Sequence, residues 1–337
     1  MPCTKPKTAW VYGKHPSGKK KLVFKRPETG AETLKIKCGK CISCKLDYSR
    51  EWATRITHEA QTSLISSFIT LTIAPDMMVT KGYYRGERYY PPYSVYKRTI
   101  QLFIKRLRKS IAITNKEKKI YQKIKYFGCG EYGTNRKRPH YHIIIMGYDF
   151  PDKVFYSYTN SGQKIYRSKK LEELWTCPKT KKSYGFSSIG SVTFHSAGYV
   201  ARYSMKKTKN KKKYQFVDGY DEETGEIFIH DLESEFLIMS KGIGKEWYEK
   251  YKTDTYKDYI LNKDGHKVKV PRYYDKQLES TEPKRMEDIK QEREKKAKEL
   301  QKDDTAKRRY ARNIVKQTQS KMLKRGYENE QENVRTI

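Results

Sequence analysis

Residues 138–147 read RPHYHIIIMG, and this stretch limits the fold more than any other. An apolar run from Ile143 to Met146 follows two histidines set one residue apart. A run of this kind, entered from a polar loop, reads as a strand. Side chains alternate along a strand, so His140 and His142 share one face and Tyr141 turns to the other. Ile144 and Met146 continue the histidine face; Ile143 and Ile145 continue the Tyr141 face. The run would anchor a rigid strand with two imidazoles at its solvent end, within reach of a ligand.

The preceding segment, IKYFGCGEYG at 124–133, also reads as a strand. The loop TNRKRP joins the two, which suggests an antiparallel hairpin with Glu131 close to the histidine end of its partner. Two imidazoles on one face can chelate a divalent metal, and an added carboxylate suits Mg²⁺ or Mn²⁺. The plainer alternative is a pair of strand-end histidines bonded to solvent or neighbours, with Glu131 pairing to Arg136 or Arg138.

Elsewhere, LDYSREWATRITHEAQ (46–61) carries apolar groups at helical spacing: Leu46, Trp52, Ala53 and Ile56. SSFITLTIA (66–74) alternates as a half-buried strand, with Phe68, Thr70 and Thr72 on one face. A loop rich in Tyr, Pro and Gly follows. SVYKRTIQLFIKRLRKSIA (94–112) is a basic amphipathic helix. KKLEELW (169–175) reads as a short helix. GSVTFHS (190–196) reads as a strand, and SAGYVARYSMKKT as the helix after it, with Ser196 as a candidate N-cap. The run KKTKNKKK (206–213) is cationic and solvated, and residues 214–275 are mixed. The strand pairs read as hairpins, so the expected class is α+β: an antiparallel sheet with helices on one face. The expected divisions are a Cys-bearing N-terminal segment (1–45), a central domain (46–275) and a charged, helical or disordered C-terminal arm (276–337).

Charge narrows the partners. Lys and Arg number 73 against 39 Asp and Glu, a formal net charge of +34. Such an excess implies a polyanion, with nucleic acid first and a membrane surface second. No apolar run reaches the roughly 18 residues of a membrane span. The first residues, MPCTKPKTAWVYGK, hold no apolar h-region, so a cytosolic chain is expected. Many of the 29 tyrosines lie among cations, which suits stacking on single-stranded nucleic acid. Tyrosine as a half-buried amphipathic filler is the competing reading. Candidate phosphate contacts are Lys105, Arg106 and Arg108 on the basic helix, the 206–213 run, and Arg138.

GYVARYSMKK sets Tyr199 and Tyr203 four apart, on one helix face, with Lys206 three further on. A phenol beside a cation and a metal can attack phosphorus. The competing reading packs both rings on the sheet. Cys38, Cys41 and Cys44 form C-x2-C-x2-C, and Cys3 lies in the same segment. Four thiolates can close a tetrahedral structural Zn²⁺ site; an iron–sulfur site or free thiols stay open at this stage. Cys129 reads as a core residue, Cys177 carries no assignment, and His195 is taken as structural.

SSFITLTIAP, RPHYHIIIMG and YVARYSMKK, in this order, resemble the three motifs of the HUH endonucleases that initiate rolling-circle replication. The last looks like the two-tyrosine version found in initiators of small circular single-stranded DNA phages. CGKCISCKLDYSREWATR, CGEYG, MSKGIGKEWYEKY and VPRYYDK resemble the replication initiators of gokushoviruses, a branch of the Microviridae, over most of residues 1–275. The resemblance implies a central five-stranded antiparallel sheet flanked by helices. It implies a metal-dependent single-strand endonuclease and ligase, with Mg²⁺ or Mn²⁺ held by His140, His142 and Glu131. Tyr199 or Tyr203 would attack the phage origin, keep the 5′-phosphate and release a 3′-hydroxyl, the second tyrosine later helping to reseal the circle. Lys206 would stabilise the phenolate or phosphate. Host polymerase and helicase are implied partners, in the cytoplasm of a bacterial host. The alternative from another class is a non-catalytic single-stranded nucleic-acid-binding or genome-packaging protein. A transposase or relaxase of the same superfamily is a third reading.

Overall fold

The computed structural model describes residues 3–15, 20–27, 31–74, 77, 94–118, 123–133, 138–159, 162–202, 214–220, 227–256, 259–261, 265, 267–301 and 304–322. The Tyr-, Pro- and Gly-rich loop after Pro75, most of the TNRKRP loop, Tyr203, Lys206 and the 206–213 run lie outside the described residues. Two compact units divide the chain, one of residues 1–49 and 275–324, the other of 50–274 and 325–337.

The first unit holds a three-stranded antiparallel sheet in the order β2-β1-β3: β1 (Lys7–Lys14), β2 (Lys20–Val23) and β3 (Thr33–Ile36). Helix α1 (Ile42–Thr62) begins in this unit and runs into the other.

The second unit is built on a seven-stranded sheet in the order β12-β5-β6-β4-β9-β8-β7, each neighbouring pair antiparallel. Its strands are β4 (Ser66–Thr72), β5 (Lys125–Tyr132), β6 (Pro139–Met146), β7 (Val154–Tyr158), β8 (Lys164–Arg167), β9 (Ser187–Gly190) and β12 (Phe236–Met239). The α+β class stands, but the sheet has seven strands rather than five. The outer hairpin β7–β8 accounts for one edge. At the other, the four residues of β12 are too short to announce themselves by alternation. A separate two-stranded ribbon pairs β10 (Tyr214–Tyr220) with β11 (Ile227–Leu232), and β13 (Ile260–Leu261) pairs with β14 (Lys267–Val268).

Helices cover both faces of the central strands, not one. On the first face lie Ile69, Leu71, Tyr141, Ile143 and Ile145. Helix α2 (Lys97–Lys118) packs on them through Ile100, Phe103, Ile104, Leu107 and Ile111, an apolar stripe at helical spacing. Helix α3 (Lys169–Leu174) and Trp175 complete that cluster. On the second face, Phe68, Phe127, Cys129, Ile144 and Met146 meet Ala53 and Ile56 of α1 and Ala197, Tyr199, Val200 and Ala201 of α4 (Phe194–Arg202). β4 is therefore buried on both sides, not half-buried. Gly130 is required here: a Cβ would fall 2.7 Å from the Phe236 ring.

The segment 190–196 departs from its expected strand. β9 ends at Gly190, and α4 starts at Phe194. Ser196 is inside the helix rather than at its cap. Its N–H donates to Thr193 Oγ1 at 3.0 Å, and the Thr193 N–H donates to Ser196 Oγ at 2.8 Å. This reciprocal pair is a capping box with Thr193 as N-cap.

One flank of α1 is polar yet buried. Arg55 donates through Nε and Nη2 to the Ile243 carbonyl and lies between the rings of Trp52 and Tyr273. Glu59 receives Lys125 Nζ at 2.6 Å and the Gly244 N–H at 2.6 Å. His58 stacks on Trp247 with ring centroids 3.5 Å apart, and its Nδ1 is 2.9 Å from the Tyr274 hydroxyl. This network ties α1 to the loop before α5 (Lys245–Tyr251) and to the start of α6 (Arg272–Thr281).

Burial pushes the His58 pKa down to about 3 from 6.5. A base with a depressed folded pKa stays neutral in the native chain while the unfolded chain takes up its proton. Its contribution is complete above pH 6.5 and is lost as the pH falls toward 3. Between pH 7 and pH 4.5 the native protein is expected to lose about 2–3 kcal/mol more than the His58→Gln variant. Urea unfolding of both proteins across that range checks this; parallel curves would refute it.

Candidate functional site

The β5–β6 hairpin forms as the sequence suggests, and its register builds the site. Glu131 pairs with His140 and Cys129 with His142; on the other side of β6, Thr72 pairs with His140 and Thr70 with His142. Residues directly opposite each other share a face, so Thr70, Thr72, Glu131, His140 and His142 lie together on the second face. Helix α4 covers this face and brings Tyr199 to it.

The centre of the group is a chain of hydrogen bonds. Thr70 Oγ1 is 3.0 Å from His142 Nδ1, His142 Nε2 is 2.8 Å from Glu131 Oε1, and the Tyr199 hydroxyl donates to the same oxygen at 3.3 Å. Glu131, His142 and Tyr199 are only 1–2 % exposed, so these contacts operate out of water. The Phe68 ring lies parallel to the His142 imidazole at 5.7 Å, and the Tyr199 ring meets it edge-on at 5.2 Å. Position and orientation of the imidazole are thereby fixed on four sides. The expectation that both histidines stand at a solvent end holds for neither fully: His142 is buried and His140 half-buried.

His140 is turned differently. Its Nδ1 lies 2.7 Å from the Arg138 carbonyl. A carbonyl only accepts, so Nδ1 carries a proton, and in the neutral imidazole Nε2 then holds the lone pair. The structure thus brings Glu131 and His142 together and sets His140 beside them in register. Among the described residues, the group of three or more potential ligands whose donor atoms all lie within 4.8 Å of one another is Cys3, Cys38, Cys41 and Cys44. These four cysteines can hold a metal such as zinc. Burial raises the Cys41 thiol, but hydrogen bonds from Thr4 and from the Cys44 backbone outweigh it and bring the pKa down to about 6.

The second face continues from the site to the sheet edge. Thr72 Oγ1 accepts from the Phe186 N–H at 2.9 Å, and its N–H donates to the Phe186 carbonyl at 2.9 Å. The Arg167 guanidinium lies over the rings of Phe186 and Tyr156, at 5.3 and 5.4 Å. A row therefore runs Glu131, His140, Thr72, Phe186, Arg167, Tyr156. Sequence reasoning missed its outer half, because β7 and β8 were not recognised as strands. The signal available was VFYSY, an aromatic run beside cations.

The basic helix lies elsewhere. α2 packs on the first face, with the sheet between it and the histidines. Lys105 and Arg108 are exposed, and the Arg108 guanidinium is 5.5 Å from the Tyr126 ring centre. Arg106 differs: its Nε donates to the Leu174 carbonyl at 3.0 Å, and burial lowers its pKa. Its spacing marks it as structural, three beyond Phe103 and next to Leu107. Arg138 is half-buried at the His140 end of β6. His195 is exposed near the start of α4, and Cys129 is a core residue of the second face.

The comparisons with known proteins first give the class. Residues 66–208, from β4 through α4, match the family of replication-associated proteins ORF2/G2P. The replication-associated protein VP4 of Bdellovibrio phage phiMH2K is 31% identical over 249 residues, covering 74% of this chain and 69% of that protein. The replication-associated protein ORF2 of Spiroplasma virus 4 is 33% identical over 251 residues, 72% and 68% of the two chains. The replication-associated protein ORF4 of Chlamydia phage 1 is 26% identical over 243 residues, covering 71% of this chain and 52% of that one. No solved structure matches. The chain belongs to the replication-associated proteins of the Microviridae, and its role is in phage DNA replication. No helix among the described residues is long and apolar enough to cross a membrane.

Removing Arg106 is expected to destabilise the protein by about 1–3 kcal/mol, since it loses a charged hydrogen bond made in a half-buried place. Lys105→Ala and Arg108→Ala are expected to stay within about 0.5 kcal/mol of the native chain. Thermal unfolding of the three single variants separates these outcomes; equal shifts would contradict the assignment.

Proposed function

We propose that this chain is the replication initiator of a small circular single-stranded DNA phage, and that it nicks and rejoins the origin through tyrosine. The observation that carries the reading is the buried contact of Tyr199 with Glu131 and of Glu131 with His142, on the strand that also presents His140. The relatives' replication-associated names agree with it. The plain binding or packaging reading gives this acid, imidazole and phenol a structural role, as His58, Glu59 and Tyr274 have; their place on the strand that presents His140 favours the catalytic one.

In this reading the phenol oxygen attacks the scissile phosphorus. The bond from phosphorus to the 3′ oxygen breaks, the 5′-phosphate stays on tyrosine, and the departing oxygen takes up a proton to leave a 3′-hydroxyl. Glu131 Oε1 orients the Tyr199 hydroxyl and is the nearest acceptor for its proton. Tyr203, four residues further along the sequence, would take the second transfer, and Lys206 would stabilise the phenolate or the phosphate. The nitrogen and oxygen donors of His140, His142 and Glu131 fit Mg²⁺ or Mn²⁺, and such an ion would polarise the phosphate when bound. The 3′-hydroxyl would serve a host polymerase, with a host helicase opening the duplex ahead of it.

The chain is expected to give a protein-linked band on a denaturing gel when mixed with labelled single-stranded origin DNA and Mn²⁺. EDTA, His140→Ala/His142→Ala and Tyr199→Phe/Tyr203→Phe are each expected to remove it. Binding without cutting or linkage, across several origin candidates and metals, would move the protein to the packaging reading.

The row toward the sheet edge offers the DNA a path on the same face as the site. Phe186 and Tyr156 would stack bases, and Arg167 would contact phosphate, although it also holds Glu172 at 2.6 Å. Tyr156 is 40 % exposed on an edge strand, so Tyr156→Ala is expected to leave the melting temperature unchanged. It should weaken single-stranded DNA binding by about 1–3 kcal/mol. Fluorescence titration with oligonucleotides checks this, and unaltered affinity would send the DNA path elsewhere.

A further inference from the structure

The four cysteines take no part in the reading above, yet their geometry is the most demanding in the molecule. Cys3 Sγ lies 3.5 Å from Cys38 Sγ and 3.7 Å from Cys41 Sγ, and all four sulfurs are within 4.8 Å of one another. Four thiolates around one zinc at about 2.3 Å stand about 3.8 Å apart along the tetrahedron's edges. An iron–sulfur cube binds each thiolate to a different iron, which holds the sulfurs further apart than four ligands of one ion. The spacing therefore selects a single ion.

The surroundings are built to match. The Cys38 N–H donates to Cys3 Sγ at 3.4 Å, and the Lys40 and Cys41 N–H groups donate to Cys38 Sγ at 3.4 and 3.2 Å. Backbone donors on sulfur stabilise thiolate and fix its direction. Cys41 precedes the first turn of α1 and Cys44 lies within it, where the helix dipole favours negative charge. Cys3, Cys41 and Cys44 are buried. A closed tetrathiolate with no open position is a structural site rather than a catalytic one.

Its place in the chain says what it holds. β1 pairs with β3 from Lys7 opposite Ile36, so Cys3 and Cys38 lie just past one end of that ladder. The next residue, Thr4, is buried and donates through Oγ1 to Asn313 Oδ1 at 3.1 Å. Asn313 belongs to α8 (Ala306–Met322), which follows α7 (Pro283–Gln301) in the same compact unit. We propose that Cys3, Cys38, Cys41 and Cys44 bind one structural Zn²⁺ that fastens β1, β3 and the first turn of α1, and through Thr4 holds α8 in place.

The test uses the full chain. Elemental analysis is expected to find one zinc per chain, and Co²⁺ in its place is expected to give the intense absorption of a tetrahedral tetrathiolate. Withdrawing zinc with a mercurial and a chelator should raise hydrogen exchange across 306–322 at least tenfold and leave β4–β6 unchanged. Asn313→Ala should keep the zinc while loosening α8, which separates the ion from the contact it supports. Iron with inorganic sulfide, disulfides among these cysteines, or a zinc-free chain with four titratable thiols would each overturn the site. Unchanged exchange at 306–322 after zinc removal would overturn the link to α8. Cys38→Ser and Cys41→Ser are expected to lose the metal; retention of a full equivalent by either would refute the ligand set.

Discussion

The antiparallel register between β5 and β6 is the constraint on which the site depends. Glu131 opposite His140 places a carboxylate on the imidazole face; a slip of one residue would turn it to the α2 face. Several features oppose such a slip. Gly130 leaves room for Phe236 and Tyr141, and a slip of one residue would set the side chain of Cys129 or Glu131 under those rings. Tyr141 is itself held on the first face, where its hydroxyl accepts from the Tyr96 N–H. β4 then extends the same row, with its end pinned by the Trp175 indole N–H donating to the Thr72 carbonyl at 2.9 Å. The apolar packing of one face sets the polar chemistry of the other.

Burial of both faces also sorts the charges. In a chain with a net charge of +34, the groups around Tyr199 are an acid, an imidazole and a hydroxyl, with Arg202 over the phenol ring at 5.6 Å. The numerous cations of α2 face away across the sheet. A cationic helix can raise the local concentration of a polyanion over distances comparable with the Debye length, about 8 Å at physiological salt. Chemistry at a phosphate requires contact. In the proposed reading the two tasks would fall on different surfaces, which makes the density of Lys and Arg along the sequence a poor guide to the site.

The legible parts of the sequence were those written in alternation and spacing. The strand at 139–146, its hairpin partner, the gathering of Glu131 with the histidines, and the convergence of Cys3 on the C-x2-C-x2-C run follow from periodicity and ligand chemistry. The unread parts have physical reasons. FLIM at 236–239 pairs with β5 across more than a hundred residues of chain, and nothing local marks it. VFYSY at 154–158 is an edge strand exposed on both sides, so it lacks the apolar alternation that burial imposes. The boundary at 190–196 was misplaced because Thr193 and Ser196 look alike as caps, and only their mutual bonding tells which begins the helix. Arg55, His58 and Glu59 are polar residues whose burial no local pattern in the sequence announces. They are buried because partners far along the chain satisfy them.

Thr70 shows how a small residue widens what the site can do. His142 has Glu131 at one nitrogen and a hydroxyl at the other. With Nε2 protonated toward the carboxylate, Nδ1 accepts from Thr70; with Nε2 bare, Nδ1 donates to it. A hydroxyl serves both arrangements by rotating about one bond, whereas a carbonyl or carboxylate at that point would admit only the second. His140, bonded to a backbone carbonyl, must keep a proton on Nδ1. The two histidines of the RPHYH stretch are therefore not equivalent. One keeps its Nδ1 proton on the Arg138 carbonyl, and the other can shift its proton between Glu131 and Thr70 without breaking its hold on β4.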